Sequence, residues 1–208
     1  MSRCVIVGNA RINNYALIKK YIKEDDFFVY CDGGLKHINK IGREPNLIIG
    51  DFDSHEKPDT ETEIIELPCE KDDTDTCYAM KECIVRGYDE FLFVGVIGER
   101  FDHSLGNISL LVKLNELRKK AIILDDYSEM SIIPREGCSI KGDNIAYFSI
   151  LSLSESLKGV TIIDSKYDLD EAKIDSNYQY GISNELIDNN PAKVYCKEGN
   201  ALLIKIFR

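Results

Sequence analysis

The sequence predicts a Rossmann-like α/β domain with a mainly parallel sheet over residues 1–126, followed by an antiparallel β-sandwich-like domain over residues 130–208. Three observations carry this expectation. Up to Asp126, short apolar runs alternate with helix-like segments, the pattern of strands joined by crossover helices. Beyond Asp126 the runs shorten and turn residues crowd between them, with no long amphipathic helix. The polar clusters of the first half fall where its apolar runs end, which is the side on which open sheets of this kind bind ligands.

In chain order, strands are expected at 5–7, 27–31, 47–49, 64–67, 91–97 and 121–124, with helical patterns clearest at 15–22, 76–85 and 105–117. Three of these strands lead into polar groups: Asp32-Gly33-Gly34, then Asp51 to Ser54, then Gly98 to His103. The linker falls within 125–130. Past it, strands are expected at 131–133, 145–151, 160–163, 193–196 and 201–207, separated by Gly137, Gly142-Asp143-Asn144, Gly159 and Glu198-Gly199-Asn200.

A chain of 208 residues can bury a sizeable core, and 44% hydrophobic with 30% charged residues fits a globular protein. The formal net charge is -10 and the Lys and Arg residues are scattered, so nucleic acid is not an expected partner. The first apolar run is too short for a signal peptide and reads as a strand. No apolar run reaches the roughly 20 residues a membrane span needs. Seven cysteines without a Cys-x-x-Cys pair, several inside apolar patterns, read as buried thiols of a protein in the reducing cytoplasm.

The most informative stretch is Gly50-Asp51-Phe52-Asp53-Ser54, directly after Leu47-Ile48-Ile49. Carboxylates spaced i, i+2 on extended backbone point to one side, which suits a hard divalent cation held jointly with substrate phosphate oxygens. The same residues would also serve as an ordinary turn after a strand. Glu70-Lys71-Asp72-Asp73-Thr74-Asp75 precedes a helical pattern and holds more acids than capping requires. Asp75 is the expected third metal ligand or contact to a reacting hydroxyl, and Lys71 is placed to meet phosphate. In Gly95 to His103, Gly95 and Gly98 permit close backbone approach, Arg100 can grip phosphate with both arms of its guanidinium, and His103 and Asn107 lie one helical turn apart. Asp102 could equally cap that helix. Gly33 and Gly34 either make a tight strand-to-helix turn or leave room for a nucleotide, with Asp32 facing the metal site. There is no P-loop, no protein-kinase signature set and no Gly-x-Ser-x-Gly elbow, and His37, His55 and His103 are too dispersed for a zinc site.

Taken in order, Asp32-Gly33-Gly34, Pro45 with Ile49 to Ser54, Lys71-Asp72 with Thr74-Asp75, Arg100 to His103 with Asn107, and Gly181 with Ser183-Asn184 resemble the thiamine pyrophosphokinase family along nearly the whole chain. The resemblance implies an α/β nucleotide-binding domain, a β-sandwich-like thiamine-binding domain, and a homodimer with its active site near the subunit interface. It implies transfer of the pyrophosphoryl group of ATP to the hydroxyethyl oxygen of thiamine, giving thiamine diphosphate and AMP. Asp51, Asp53 and Asp75 would be the Mg²⁺ ligands and catalytic acids. Asp32, Gly33, Gly34, Lys71, Gly98, Arg100, Asp102, His103 and Asn107 would line the ATP side, and Ser183 and Asn184 the thiamine or interface side. Two departures stand out: Glu99 replaces a second glycine before the arginine, and the chain has no Trp, so Tyr178 or Tyr180 would supply any ring stacked on thiamine.

Two other readings compete. A metal-dependent glycosyl- or nucleotidyltransferase would use Asp51 and Asp53 but gives Ser183-Asn184 no role. A noncatalytic sensor of thiamine or nucleotide would keep the pocket and lose the chemistry.

Overall fold

The computed structural model describes residues 3–52, 57–68, 70, 72–188 and 190–208, so Asp53, Ser54, His55 and Lys71 lie outside the described residues. The chain divides into two compact units, Met1–Asp126 and Tyr127–Arg208.

In the first unit, β1 (Cys4–Val7), β2 (Phe27–Cys31), β3 (Leu47–Gly50), β4 (Glu63–Glu66), β5 (Glu90–Val94) and β6 (Lys120–Leu124) lie side by side in the order β4-β3-β2-β1-β5-β6. Every neighbouring pair is parallel. Among the described residues, the α-helices α1 (Tyr15–Tyr21), α2 (Ile38–Ile41), α3 (Asp75–Val85) and α4 (Phe101–Glu116) accompany them. Strands of a parallel sheet covered on both faces carry unbroken apolar sequence, and β1 and β3 are buried at every position. Helix α1 meets α2, whereas α3 meets α4 and lies against β1, β2 and β3. Right-handed crossovers account for this grouping, because β1 to β2 and β4 to β5 cross the sheet in opposite directions. The reversal of strand order falls between β1 and β5, where an open α/β sheet leaves a crevice beyond its carboxyl ends.

The second unit is antiparallel. Strands β7 (Ser128–Ile132), β9 (Ile145–Ser152) and β13 (Ala201–Phe207) associate in the order β7-β13-β9, and β8 (Cys138–Ile140), β10 (Ser156–Ile163), β11 (Leu169–Asp175) and β12 (Ala192–Tyr195) in the order β11-β10-β12-β8. Phe148, Ile150 and Leu203 from the first group share one apolar core with Leu157, Val160, Ile174 and Val194 from the second.

Several expectations need correction. The strand expected over 91–97 ends at Val94, because Gly95 turns the chain at φ 64. Helix α4 begins at Phe101 rather than at 105, so Asp102 and His103 sit in its first turn. Strand β7 begins at Ser128, inside the expected linker; Glu129, which looks like linker sequence, is buried and accepts a 2.6 Å bond from Lys205 of β13. Strands β8 and β11 were not expected, since Cys-Ser-Ile is short and Leu-Asp-Glu-Ala-Lys-Ile-Asp is mostly polar. Among the described residues, six cysteines are free thiols and no helix is long and apolar enough to cross a membrane.

Candidate active site

A cleft of about 490 Å³ opens in the first unit beyond the carboxyl ends of β1, β2, β3 and β5. Each strand delivers residues to it: Gly8, Asn9 and Ala10 after β1, Asp32 and Gly33 after β2, Asp51 after β3, and Gly95, Val96 and Gly98 after β5. Thr74, Asp75 and Thr76 reach it from the start of α3, and Arg100, His103 and Asn107 from the start of α4. Seven residues expected at a site from sequence, Asp32, Gly33, Asp51, Asp75, Gly98, Arg100 and His103, therefore share one concavity with an eighth, Asn107.

Backbone geometry explains how the acids arrive there. The chain leaves β2 through a 3-10 helix, Asp32–His37, whose first residue holds φ 30. Phe52, between the two carboxylates of the Asp-Phe-Asp segment, holds φ 51. Positive φ at a residue with a side chain costs about 1–3 kcal/mol and concentrates at functional sites. A Cβ on Gly50 would stand 2.8 Å from Asp32 Cβ, so glycine there lets β3 end directly beside Asp32. Asp75 opens α3 behind the N-cap Thr74, whose hydroxyl accepts from Cys77 N at 3.2 Å. Within the acidic run the structure discriminates: Asp73 is taken by Lys81 at 2.5 Å, while Asp75 faces the cleft.

The Oδ1 atoms of Asp32 and Asp75 are both shut off from solvent. Cys31, beside Asp32 in the chain, has its thiol pushed well up, chiefly by burial and then by the charges of Asp75, Cys83 and Asp32, with a hydrogen bond to Thr76 opposing. Asp32 and Asp75 both line the cleft with Asp51 and Cys31. The carboxylates are hard oxygen donors, the chemistry that suits Mg²⁺. Among the described residues, no three His, Cys, Asp or Glu side chains are gathered into a ready-made metal cage. Mg²⁺ does not require one, since it keeps waters and takes one or two carboxylates together with substrate phosphate oxygens.

At the start of α4, Arg100 grips exposed Asp102 through two bonds of 3.0 and 2.7 Å. That pairing holds the Asp102 carboxyl well below the usual carboxylate range. Asp102 itself does not line the cleft. Asn107 is buried and donates to Val96 O at 2.8 Å, tying α4 to the turn after β5. Ser104 reinforces the tie, its hydroxyl bonding to Gly98 N at 3.1 Å and Gly98 O at 3.2 Å.

Gly34 does not line the cleft; a Cβ there would stand 2.4 Å from Val7 O, so its smallness serves strand-to-turn packing. Ser183 and Asn184 belong to the second unit. Ser183 holds φ 59 and donates its N–H to Ser149 Oγ at 3.0 Å. Asn184 is buried, with Nδ2 donating to Tyr167 O at 2.8 Å and Ser165 Oγ at 3.1 Å while Oδ1 accepts from the N–H groups of Tyr167 and Glu185. The Asn184 amide thus holds its own loop. Tyr178 and Tyr180 form an exposed pair with ring centroids 5.6 Å apart.

Sequence reasoning missed Asn9, Ala10, Lys36, Thr74 and Thr76 as lining residues. Lys36 had one available signal, since it stands four residues beyond Asp32 in the turn that follows β2.

Comparison with known proteins follows the same two-unit division. Residues 18–124 match the model of the thiamin pyrophosphokinase catalytic domain, and residues 132–200 that of the thiamin pyrophosphokinase vitamin B1 binding domain. The chain is 29% identical to thiamine pyrophosphokinase of Bacillus subtilis over 184 residues, covering 85% of this chain and 86% of that protein. It is 23% identical to thiamin pyrophosphokinase 1 of Caenorhabditis elegans over 192 residues, covering 86% and 77%. The crystal structure of the Bacillus subtilis thiamine pyrophosphokinase superposes with a TM-score of 0.88 at 25% identity, covering 100% of both chains. Thiamin pyrophosphokinase from Candida albicans, at 17% identity, shares the fold with a TM-score of 0.81, covering 100% of this chain and 89% of that one.

Proposed function

The chain belongs to the thiamin pyrophosphokinase family, and from that premise we propose how its own residues carry out the family's reaction. It is an enzyme that transfers the pyrophosphoryl group of ATP to thiamine, giving thiamine diphosphate and AMP. Neither a sugar-nucleotide transferase nor a noncatalytic sensor is favoured by two consecutive domain matches of this kind.

One observation carries the assignment of residues: Asp32, Asp51, Asp75, Arg100, His103 and Asn107, dispersed over 76 positions of sequence, line a single cleft at the reversal of strand order. We assign that cleft to ATP. Asp51, Asp75 and, from the sequence, Asp53 are the residues that would hold Mg²⁺, which when bound neutralises phosphate charge and polarises the group being transferred. Arg100 exchanges its bond with Asp102 for one to a phosphate oxygen, a contact its planar guanidinium is shaped to make. His103 and Asn107 line the α4 side, and Lys71 is the further phosphate contact expected from sequence. Asp75 is the candidate to take the thiamine hydroxyl proton, since its carboxylate lines the cleft at the start of α3 beside Thr74 and Thr76. Phosphoryl-type transfer asks chiefly for charge neutralisation and alignment, and a cleft that holds both carboxylates for a divalent cation and cationic side chains for phosphate is suited to both.

The finer architecture follows the same reading: a Rossmann-like nucleotide domain over 1–126 and a sandwich-like thiamine domain over 130–208. There Ser183 and Asn184 shape the substrate side, and Tyr178 or Tyr180 offers an aromatic face. A cytoplasmic homodimer completes the proposal.

Incubation with thiamine, ATP and Mg²⁺ is expected to give equal amounts of AMP and thiamine diphosphate, to stop on chelation of divalent cations, and to resume on adding Mg²⁺. Formation of ADP, or failure to consume thiamine, overturns the assignment.

A further inference from the structure

The cleft presents a charge problem. Among its described lining residues, Asp32, Asp51, Asp75 and Glu99 are acids, and only Lys36 and Arg100 are permanent cations. A triphosphate entering such a space meets more negative than positive charge, so the disposition of each cation decides where its phosphates can rest. Arg100 is neutralised by the two bonds it makes to Asp102. Lys36 is held differently. Its Nζ donates to Asn9 O and Asn9 Oδ1, both at 2.5 Å, so two neutral oxygens orient the ammonium and leave its charge undiminished.

Asn9 is fixed by the same contact. Lysine only donates, so the end of the Asn9 amide facing Nζ is the oxygen, and Nδ2 with its two N–H groups is the end presented elsewhere. The amide lies against Gly33, where a Cβ would stand 2.5 Å from Asn9 Cγ. The segment beneath is clamped as well: Ala10 N donates to Gly95 O at 2.7 Å, and His37 Nε2 bonds to Ala10 O at 3.0 Å. The corner where β1 meets the turn after β2 thus holds a cation and an amide donor in place before any ligand arrives.

We propose that Lys36 and Asn9 together form the phosphate-recognising corner of the cleft, Lys36 supplying charge and Asn9 Nδ2 a directed N–H. The proposal rests on the reading of this cleft as the ATP site. It makes Lys36 a specificity-determining residue for the polyphosphate tail, separate from the acids that would hold Mg²⁺.

The test compares wild type, Lys36→Met, Lys36→Gln and Lys36→Arg in calorimetric titrations with ATP and with inorganic tripolyphosphate, with thermal unfolding as the control for folding. Losing a charge-assisted hydrogen bond should weaken both ligands about tenfold to a hundredfold in Lys36→Met. The KM for ATP should rise while the KM for thiamine holds. Gln can still donate to Asn9 but carries no charge, and it is expected to bind as poorly as Met, whereas Arg restores most of the affinity. If Gln restores binding as well as Arg does, Lys36 merely props Asn9 and the proposal fails; it fails equally if Lys36→Met binds tripolyphosphate as wild type does. Should Met unfold the protein, the comparison of Gln with Arg decides alone. A wild type that binds neither ATP nor tripolyphosphate overturns the reading of the cleft itself.

Discussion

At the scale of single residues, the site depends on positions where one atom more would not fit. A Cβ at Gly34 would stand 2.4 Å from the Val7 carbonyl, which belongs to a buried strand and cannot retreat. Gly34→Ala should therefore destabilise the protein by about 1–3 kcal/mol, the usual cost of overpacking, as read from urea unfolding. Gly33→Ala should cost less, because its obstacle is the Asn9 side chain, which can move aside at the cost of its Oδ1 bond to Lys36 while a strand carbonyl cannot move; equal losses would refute the distinction. His37 gives a pH-dependent counterpart. It is buried between Tyr15, whose hydroxyl lies 2.8 Å from Nδ1, and Ala10 O, and burial lowers its pKa below the ordinary 6.5. The unfolded chain then takes up a proton near pH 6.5 that the folded chain refuses. The stabilisation is complete above that pH and declines as pH falls from about 6.5 toward the lower folded value. Urea midpoints between pH 7.5 and 5 should trace this decline, and His37→Gln should flatten it; an unchanged slope in the variant would assign the effect elsewhere. Sequence made the acids and glycines of the site legible, since they follow apolar runs that can only be strands. Asn9 was not, because nothing in a lone Asn reveals that two strand ends meet around it, and Lys36 had only its spacing from Asp32 to mark it.

At the scale of elements, the site is an assembly of terminations. Strands β1, β2, β3 and β5 stop at one edge, and α3 and α4 begin there, so their first turns carry functional residues. The cap of α3 is then also a positioning device. Thr74→Ala should cost about 1 kcal/mol of stability through the lost bond to Cys77 N. It should lower kcat/KM by more than that stability loss explains, because Asp75 is the next residue and frays with the turn; Thr74→Ser should retain both. A kcat/KM unaffected by Thr74→Ala would show that Asp75 is held by something other than its helix. The central parallel strands β1, β2, β3 and β5 were readable because burial on both faces leaves continuous apolar runs of three to five residues. Strand β11 was not, since two consecutive exposed acids, Asp170 and Glu171, break the alternation that marks a strand, and its pairing with β10 shifts register twice. The start of α4 was misplaced by four residues for a related reason: Phe101 is 71% exposed and Asp102 and His103 are polar, so its first turn lacks an apolar face.

At the scale of the whole molecule, the decisive quantity is charge. The net charge of -10 repels ATP at long range and attracts thiamine, which is a cation. The two substrates therefore encounter opposite fields before either reaches a specific contact, and ATP depends on local cations where thiamine does not. Long-range attraction is the component that salt removes, because the screening length falls from roughly 30 Å at 0.01 M to about 8 Å at 0.15 M. With ATP and Mg²⁺ held saturating, kcat/KM for thiamine should fall several-fold as ionic strength rises over that interval, while kcat, which is set after capture, stays nearly constant. Sodium chloride and potassium acetate at matched ionic strength should give the same curve, since screening depends on ionic strength and not on the identity of the ion. A kcat/KM that is flat with salt, or that differs between the two salts, would mean that thiamine is captured by local contacts alone and that the acidity of the chain serves something other than its substrate.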